Sequence, residues 1–456
     1  MPSRSILHVD TFGVSMNTPT LLTLYRLMLT ARQIDAVSRE ITQRGEAFFH
    51  LSGAGHEASV ALAPHLTDHD WLHCHYRDKA LLLARGLSVQ SFFDSMLCND
   101  RSSSRGRRMS AFFSDRKLKI LSMVTPTGNN ALQAVGVAAA IKHQESNPFV
   151  LCGIGDGTSQ QGEVLEALGE AVRECLPVLF MIQDNRWAIS TTTRGRTFFS
   201  LPDGEADSYL GVPIRRVDGR DAAHAMEQFG GIVQQIRGSR KPQIVVMEVE
   251  RLHSHTNADD HRVYRTEEDL RQAAESGDPI IRLEHQLLNL DCKPEMLQQI
   301  RAEVEQQVAD AEAAAATAAE PTAQRVASCP IPVELSHPAS EVRGDESTRT
   351  LTMGTAIREV LNLHLEHDPR LFLFGQDIED PKGDVFGVTN GMSTSFAGRV
   401  RNAPLSESTI LGTSIGRALA GQKPVAFIQF ADFLPLAYNQ LTTELANMYW
   451  RTDGDW

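Results

Sequence analysis

The sequence has few cysteines, and their positions indicate neither a disulfide framework nor a metal site. The six cysteines are scattered along 456 residues, and no two of them form a Cys-x-x-Cys pair. Disulfide-stapled folds and zinc sites use paired or regularly spaced cysteines, so both are disfavoured. We therefore expect free thiols in a reducing compartment, with the cytoplasm as the default location.

Long apolar runs and an excess of basic residues are also missing. No stretch approaches the roughly 20 apolar residues of a membrane-spanning helix, and the N-terminal segment MPSRSILHVDTFGVS lacks the apolar core of a signal peptide. The formal charge of -13 disfavours a nucleic-acid-binding surface. We therefore expect neither a membrane nor a nucleic acid as partner. A chain of this length is expected to form two or more domains.

The first half of the chain has the pattern of an α/β protein. Thr18 has the character of a helix N-cap, and apolar residues recur at helical spacing from there to about Arg44, which predicts one long amphipathic helix. From about 50 to 290, small-residue helices alternate with short apolar runs at 149–152, 178–182 and 244–247. This alternation predicts parallel sheets flanked by helices on both faces.

The sequence pattern changes three times after residue 290. Residues 296–320 are rich in Glu, Gln and Ala, which predicts a solvent-exposed helix, and residues 321–349 contain several prolines, which predicts a linker. A second α/β pattern begins at residue 350, with a helix around 356–364 and strands near 371–374 and 425–429. We therefore predict domains at 1–320 and 350–456, joined by the linker.

The stretch VLCGIGDGTSQQGEVLEALGEAVRECLPVLFMIQDNRWAIS predicts a strand, a loop, a helix and a second strand. Such a crossover places the two strands parallel, so Asp156 and Asn185 should emerge at the same sheet edge. A carboxylate and an amide oxygen suit Mg²⁺, and Gly155 and Gly157 would let the backbone approach a diphosphate. Taken alone, Gly-Asp-Gly is equally compatible with an ordinary turn; the spacing to Asn185 is more specific.

This motif resembles the one in the thiamine-diphosphate-dependent 2-oxo acid dehydrogenases, in the α part of their decarboxylating component. The resemblance implies that Mg²⁺ is held by Asp156, Asn185 and the backbone carbonyl of Trp187. It also implies the thiamine-diphosphate-binding fold. Asp184 departs from the commonest form of the motif, which has asparagine there, but the metal-binding asparagine is retained.

Two further segments resemble the cofactor site of the same family. The segment His75-Tyr76-Arg77-Asp78 is similar to a step whose tyrosine and arginine reach the diphosphate, which implies cofactor-binding roles for Tyr76 and Arg77. The segment TPTGNN, with Thr125 and Thr127, resembles the loop beside the thiazolium ring. Phe112 replaces a histidine that the family often has, which weakens any assignment of substrate contacts there.

A third segment, RLHSHTNADDHRVYRT, resembles the histidine loop that covers the family's site. The resemblance implies that His253 and His255 contact the diphosphate and assist acyl transfer, and we assign both as candidate catalytic residues. Each of these segments alone is also compatible with a purely structural role. Their occurrence in family order over residues 18–290 argues against coincidence.

From residue 350 the chain resembles the β part of the same component, through TMGTAIREVL, NAPLSESTILGTSIGRALAG and VAFIQFADFLPLAYNQL. The resemblance implies that Glu407 hydrogen-bonds the aminopyrimidine ring, so that the ring can remove the thiazolium proton. Such a carboxylate works best in an apolar pocket, to which Leu405 could contribute. A helix-N-terminal glutamate with no catalytic role is the alternative. The resemblance also implies that Gln429 and Phe433 contact the pyrimidine ring of the cofactor.

The resemblance implies oxidative decarboxylation of a 2-oxo acid, with thiamine diphosphate and Mg²⁺ as cofactors. The acyl group would pass to a lipoylated acyltransferase, and the component would be a homodimer, with Asp156 and Glu407 meeting across it. The IQFAD run favours branched-chain substrates; pyruvate and acetoin remain alternatives. The β resemblance stops at Trp456, so we expect an incomplete second α/β module. A transketolase-like carboligase and a folded but inactive fragment are the competing interpretations.

Overall fold

The computed structural model describes residues 17–322, 337–338 and 350–456. The chain divides into two units. The first contains residues 17–131 and 142–321, and the second contains residues 132–141 and the described part of 322–454. The linker that the sequence predicts lies almost entirely outside the described residues. No helix in the described part of the chain combines the length and apolarity that a bilayer span requires.

The first unit begins with the long helix Thr18–Gln43, as the apolar spacing predicts. Its N-cap is Asn17, whose side chain accepts a hydrogen bond from the Thr20 amide at 2.9 Å, so the prediction of Thr18 as the cap was wrong by one residue. Thr18 instead takes the first helical position, followed by Pro19. Asparagine caps a helix as well as threonine does, and the sequence offers both in succession.

The helix Pro294–Ala316 was expected to be solvent-exposed, and the structure corrects this. One face is buried in the same core as the helix Thr18–Gln43, through apolar residues at helical spacing that include Leu297, Val304 and Val308. The many Glu, Gln and Ala residues conceal this narrow stripe in the composition. A helix with one such stripe packs against a core, whatever covers its other face.

A six-stranded sheet forms the centre of the first unit. Its strands lie in the order Trp71–His73, Val150–Gly155, Val178–Asp184, Gln243–Glu248, Val212–Asp218 and Ser208–Tyr209. The first five are parallel, and the last pairs antiparallel with its neighbour. Helices connect the parallel strands and cover the sheet, which confirms the α/β prediction.

The connecting helices and the short strands of this unit complete its framework. The helices are Lys79–Arg85, Val89–Met96, Gly162–Arg173, Ala222–Ser239, Glu267–Ser276 and Pro279–Asn289. The short antiparallel pairs are Trp187–Ala188 with Thr191–Thr192, and Ser200–Leu201 with Gly204–Glu205.

The second unit contains a smaller parallel sheet. Its strands lie in the order Val400–Asn402, Leu371–Gly375 and Lys423–Phe427, and the helices are Met353–His367, Met392–Ser395, Glu407–Leu419 and Met448–Arg451. The predicted helix and both predicted strands are therefore present, with shifts of a few residues at their ends.

Residues 132–141, the body of the helix Asn130–Ile141, belong to the second unit and pack closely on Glu407–Leu419. A Cβ added at Gly136 would lie 2.1 Å from the Thr413 carbonyl oxygen. A Cβ at Gly416 would lie equally close to the Gln133 carbonyl oxygen, also 2.1 Å. Both positions therefore require glycine, because the two helix backbones leave no room for a side chain.

Candidate functional site

The structure places Asp156 and Asn185 at one edge of the large sheet. The strands Val150–Gly155 and Val178–Asp184 are parallel neighbours, with Gly155 opposite Gln183. The residue after each strand therefore emerges at the same carboxyl end. Asp156 is only 3% exposed and Asn185 only 6%. Two hard oxygen donors are thus buried together where parallel α/β folds bind ligands.

Two hydrogen bonds, one local and one from a distant segment of the chain, fix the Asp156 carboxylate. Its Oδ1 accepts a hydrogen bond from the Gly157 amide at 2.8 Å, and its Oδ2 accepts one from the Thr193 hydroxyl at 2.8 Å. A Cβ added at Gly157 would lie 2.6 Å from the Ala188 Cβ, so this position has no space for a side chain. The backbone at Gly157 therefore lies directly against Ala188 in the short strand Trp187–Ala188.

Asn185 is held by the loop that follows it. Its Oδ1 accepts a hydrogen bond from the Trp187 amide at 3.0 Å, and its Nδ2 lies 3.3 Å from Nε2 of His56. Arg186, which separates Asn185 from Trp187 in the chain, has a φ of +68°. A non-glycine residue adopts this left-handed conformation only when its surroundings impose it. Trp187 is half-buried and opens the short strand Trp187–Ala188.

Asp184 directly precedes Asn185 in the chain, and its carboxyl group interacts with that of Asp156. Burial and the neighbouring Asp156 carboxylate raise the pKa of Asp184 to about 7, although Asp184 Oδ1 also accepts a hydrogen bond from the Arg186 amide at 2.9 Å. Two carboxyl groups this close resist simultaneous ionisation. A bound divalent cation would remove that repulsion.

Tyr76 and Arg77 lie beside the histidine loop. Arg77 is 2% exposed, and its guanidinium donates to the Ser52 carbonyl and lies 3.1 Å from Nδ1 of His255. The Tyr76 ring packs edge-on to the His255 ring, with centroids 6.4 Å apart. The structure therefore brings together three of the residues that the sequence singles out.

A cleft lies between Tyr76 and the loop formed by residues 125–130. Tyr76, Thr127, Gly128 and Thr158 line it, and the Asn130 side chain donates to the Gly153 carbonyl at 3.0 Å beneath it. Thr125 is exposed and is not part of this lining; its hydroxyl is directed to the Met109 sulfur at 3.3 Å. Of the two predicted threonines, Thr127 is the better placed to meet a ligand.

His253 and His255 occupy different environments. His255 contacts Arg77, whereas His253 lines a separate cavity of about 380 Å³ together with Arg32, Asp35 and His50. Burial and the Arg77 charge lower the pKa of His255 to about 4, and burial also lowers the pKa of His253. Both imidazoles are therefore neutral at pH 7, but within the first unit only His255 lies against the predicted diphosphate-binding side chains.

In the second unit, Glu407 begins the helix Glu407–Leu419 and is buried. Its Oε1 accepts a hydrogen bond from Nε2 of Gln376 at 3.1 Å, and the Gln429 side chain donates to the Gln376 carbonyl at 2.5 Å. Leu405 is 88% exposed and Phe433 is 40% exposed. Within this unit, the side-chain amide of Gln376 therefore fixes the Glu407 carboxylate, and Leu405 does not cover it.

The structure also identifies residues that the sequence interpretation missed. His56 and Gln183 are fully buried beside Asn185, Asp78 lies behind Gln183, and Thr193 binds Asp156. Burial raises the pKa of Asp78 to about 6. No motif or spacing in the sequence identifies Thr193 as a residue of this site. His56 does have a signal in the sequence, because it follows the run of small residues at 52–55, where a buried polar residue indicates a role.

Two family matches cover most of the chain. Residues 25–324 match the family described as Dehydrogenase E1 component, and residues 349–453 match Transketolase, pyrimidine binding domain. The chain belongs to the dehydrogenase E1 component family. This agrees with the resemblance that the motifs indicate.

Individual relatives of this E1 chain are α subunits. The Bacillus subtilis 2-oxoisovalerate dehydrogenase subunit alpha is 28% identical over 297 residues, which cover 63% of this chain and 89% of the relative. The Mycobacterium tuberculosis 3-methyl-2-oxobutanoate dehydrogenase subunit alpha is 30% identical over 264 residues, which cover 58% and 69%. The Arabidopsis thaliana 2-oxoisovalerate dehydrogenase subunit alpha 1 is 27% identical over 262 residues, covering 57% of this chain and 55% of the relative. The chain therefore spans little more than half of this last relative.

The residues present fit Mg²⁺ and a diphosphate. Asp156 and Asn185 offer buried oxygen ligands of the type that Mg²⁺ prefers. Nε of Arg77 and Nδ1 of His75 are buried and have no hydrogen-bond partner among the described residues. Buried polar atoms are normally paired, so such atoms at a sheet edge indicate a site that receives a polar ligand.

Proposed function

We propose that this E1 family chain catalyses the thiamine-diphosphate-dependent oxidative decarboxylation of a 2-oxo acid. The observation that carries the proposal is the burial of Asp156 and Asn185 together at the carboxyl ends of neighbouring parallel strands. The family membership supports it. The cofactors would be thiamine diphosphate and Mg²⁺.

Each candidate residue would have a distinct task at this site. Asp156, Asn185 and the backbone carbonyl of Trp187 would hold Mg²⁺, and Tyr76 and Arg77 would bind the diphosphate. Gly155, Gly157 and Thr127 would let the cofactor approach the backbone, with Thr125 at the margin of the same loop. Bound thiamine diphosphate supplies the electron sink that lets carbon dioxide leave a 2-oxo acid.

The remaining candidates would handle protons and the acyl group. Glu407 would accept a hydrogen bond from the cofactor's pyrimidine ring, with Gln429, Leu405 and Phe433 around that ring. His255 would assist acyl transfer, because its neutral imidazole can accept or donate a proton at the mouth of the site. His253 is proposed for the same step on the family resemblance alone.

The proposed substrate is a branched-chain 2-oxo acid, and the proposed acceptor is the lipoyl group of a separate acyltransferase. The names of the Bacillus and Arabidopsis relatives refer to 2-oxoisovalerate, and the IQFAD run agrees with that class. Pyruvate and acetoin remain alternatives, because pocket discrimination between such substrates rests on about 1–3 kcal/mol. We also propose a homodimer.

A transketolase-like carboligase is the second candidate. One observation favours it: residues 349–453 match the transketolase pyrimidine-binding family. Transfer of an acyl group to a lipoylated domain would distinguish the dehydrogenase from a carboligase, which needs an aldehyde acceptor instead. A chain that binds the cofactor but turns over neither substrate would be the inactive fragment.

The first test is a calorimetric titration of the chain with thiamine diphosphate, with and without Mg²⁺. We expect magnesium-dependent binding that Asp156→Ala abolishes. Asp310→Ala, an exposed aspartate on the helix Pro294–Ala316, is the matched control and should bind as the wild type does.

Binding in the wild type leads to a second assay, in which 2-oxo acids are compared with a lipoylated domain as acceptor. Turnover that is fastest with branched-chain acids supports the full proposal. Absence of binding by the folded protein, or binding that Asp156→Ala leaves intact, would overturn the cofactor assignment.

A further inference from the structure

Four buried side chains form a continuous row behind the candidate metal ligands. Nδ2 of Asn185 lies 3.3 Å from Nε2 of His56, whose Nδ1 lies 2.6 Å from Oε1 of Gln183. Nε2 of Gln183 is hydrogen-bonded to Oδ1 of Asp78. His56, Gln183 and Asp78 are each fully buried.

The direction of the hydrogen bonds in this row is determined at the Asn185 end. A backbone amide can only donate, so the 3.0 Å contact from the Trp187 amide requires an oxygen on Asn185. The Asn185 nitrogen must therefore face His56. Because that nitrogen carries only donors, Nε2 of His56 has to accept.

The same direction continues to the other end of the row, where the Asp78 carboxylate can only accept. Nε2 of an imidazole that accepts leaves Nδ1 to carry the proton, and Nδ1 then donates to Oε1 of Gln183. Gln183 consequently presents its amino group to Asp78, whose carboxylate accepts it. The other oxygen of Asp78 accepts from the His75 amide at 2.8 Å. A backbone donor at one end and a carboxylate at the other thus impose the same direction on every bond.

We propose that His56 is a positioning residue that fixes the orientation of the Asn185 side chain, and that Gln183 and Asp78 fix the tautomer of His56. The inference rests on the proposed function, in which the Asn185 oxygen is a metal ligand. With its nitrogen held by His56, Asn185 cannot turn its amide over and present a nitrogen to the cation. A second lone pair on its oxygen remains available beside the Trp187 bond.

A purely space-filling role for His56 makes a different prediction. Leucine would fill the buried volume but could not accept from Asn185. Glutamine would keep one donor and one acceptor separated by one carbon, as in imidazole, so it can preserve the direction of the row. The pair His56→Leu and His56→Gln therefore separates hydrogen bonding from packing.

The test is the magnesium dependence of thiamine diphosphate binding, measured by calorimetry together with the Tm of each cofactor-free protein. We expect His56→Leu to weaken binding by about 10- to 100-fold, the usual effect of losing a residue that orients a metal ligand, and His56→Gln to remain within about fivefold of the wild type. A change of less than about fivefold in His56→Leu, or an equal loss in both variants, would overturn the inference.

A second measurement needs no cofactor and no variant that folds poorly. In ¹⁵N spectra of the histidine-labelled wild type, with His56→Gln to assign the signal, we expect a protonated Nδ1 and a bare Nε2 on His56. A proton on Nε2 would overturn the inference even if His56→Leu failed to fold. Failure of the proposed function is distinguishable, because the wild type itself would then show no magnesium-dependent binding while the tautomer still reports the row.

Discussion

The side chains of Asp156 and Asp184 interact at the ends of two paired parallel strands, and only one of them belongs to the predicted ligand set. Burial and the Asp156 charge raise the pKa of Asp184 to about 7. The ordinary value for aspartate is 3.8. Between about pH 4 and pH 7, the folded, metal-free protein therefore holds a proton at Asp184 that the unfolded chain has already lost.

Replacing Asp184 by asparagine should remove a pH-dependent cost to stability. Because the folded pKa lies above the unfolded one, stability from this group is present below about pH 4 and is lost as the pH rises to about 7. We expect the free energy of unfolding of Asp184→Asn, relative to the wild type, to be more favourable at pH 8 than at pH 5 by roughly 2–3 kcal/mol. Denaturant unfolding without metal at both pH values measures this difference. Equal offsets at the two pH values would contradict the prediction.

The sequence predicts the position of Asp156 and Asn185 well because a short strand–helix–strand unit contains both. Local periodicity fixes where each strand ends, and the parallel crossover places the ends side by side. Thr193, His56 and Asp78 reach the same place from other segments, and no local pattern specifies that convergence. These side chains become identifiable only once the tertiary structure is known.

The features that the structure corrects or separates have equally local causes in the sequence. The helix Pro294–Ala316 was assigned to solvent because its composition is polar on average, although its apolar stripe is regular. The sequence likewise treats His253 and His255 as equivalent, since they are two residues apart. In an irregular loop that separation does not keep two side chains on one side, and the structure directs only His255 to Arg77.

Replacing Arg77 by lysine should weaken cofactor binding and loosen the histidine loop. The guanidinium bonds the Ser52 carbonyl together with Nδ1 and the carbonyl of His255, and an ammonium group cannot reproduce that fork. We expect thiamine diphosphate affinity to fall about tenfold or more. Hydrogen exchange at residues 252–258 should also become faster.

The matched control for this change is Arg85→Lys. Arg85 likewise makes three hydrogen bonds, in its case to the backbone carbonyls of Leu118, Thr67 and Asp70, but it lies outside the candidate site. This variant should lose stability without losing cofactor affinity. A comparable loss of affinity in both variants would mean that Arg77 acts only through general stability.

His255→Ala should impair acyl transfer far more than His253→Ala. His255 packs on Tyr76 and contacts Arg77, whereas His253 faces the cavity near Arg32. We expect reductive acylation of a lipoylated domain to slow by about 100-fold or more in His255→Ala, the scale of a lost proton-transfer group, and by less than about tenfold in His253→Ala. Decarboxylation with an artificial electron acceptor, measured in parallel, separates acyl transfer from the earlier step. Equal effects of the two substitutions would contradict the assignment.

Glu407→Gln should leave the fold and cofactor binding intact but block proton removal from the cofactor. Glutamine keeps the volume of Glu407 and can still hydrogen-bond Gln376, so we expect the free energy of unfolding to change by less than about 1 kcal/mol. The lost carboxylate should slow hydrogen–deuterium exchange at the thiazolium C2 position by about 100-fold or more, as followed by NMR after acid quenching. Glu444→Gln is the control, because Glu444 is also a buried glutamate of the second unit but pairs with Arg451. That variant should lose stability while its cofactor exchanges at the wild-type rate. Normal exchange in Glu407→Gln would instead identify Glu407 as a structural residue at a helix N-terminus.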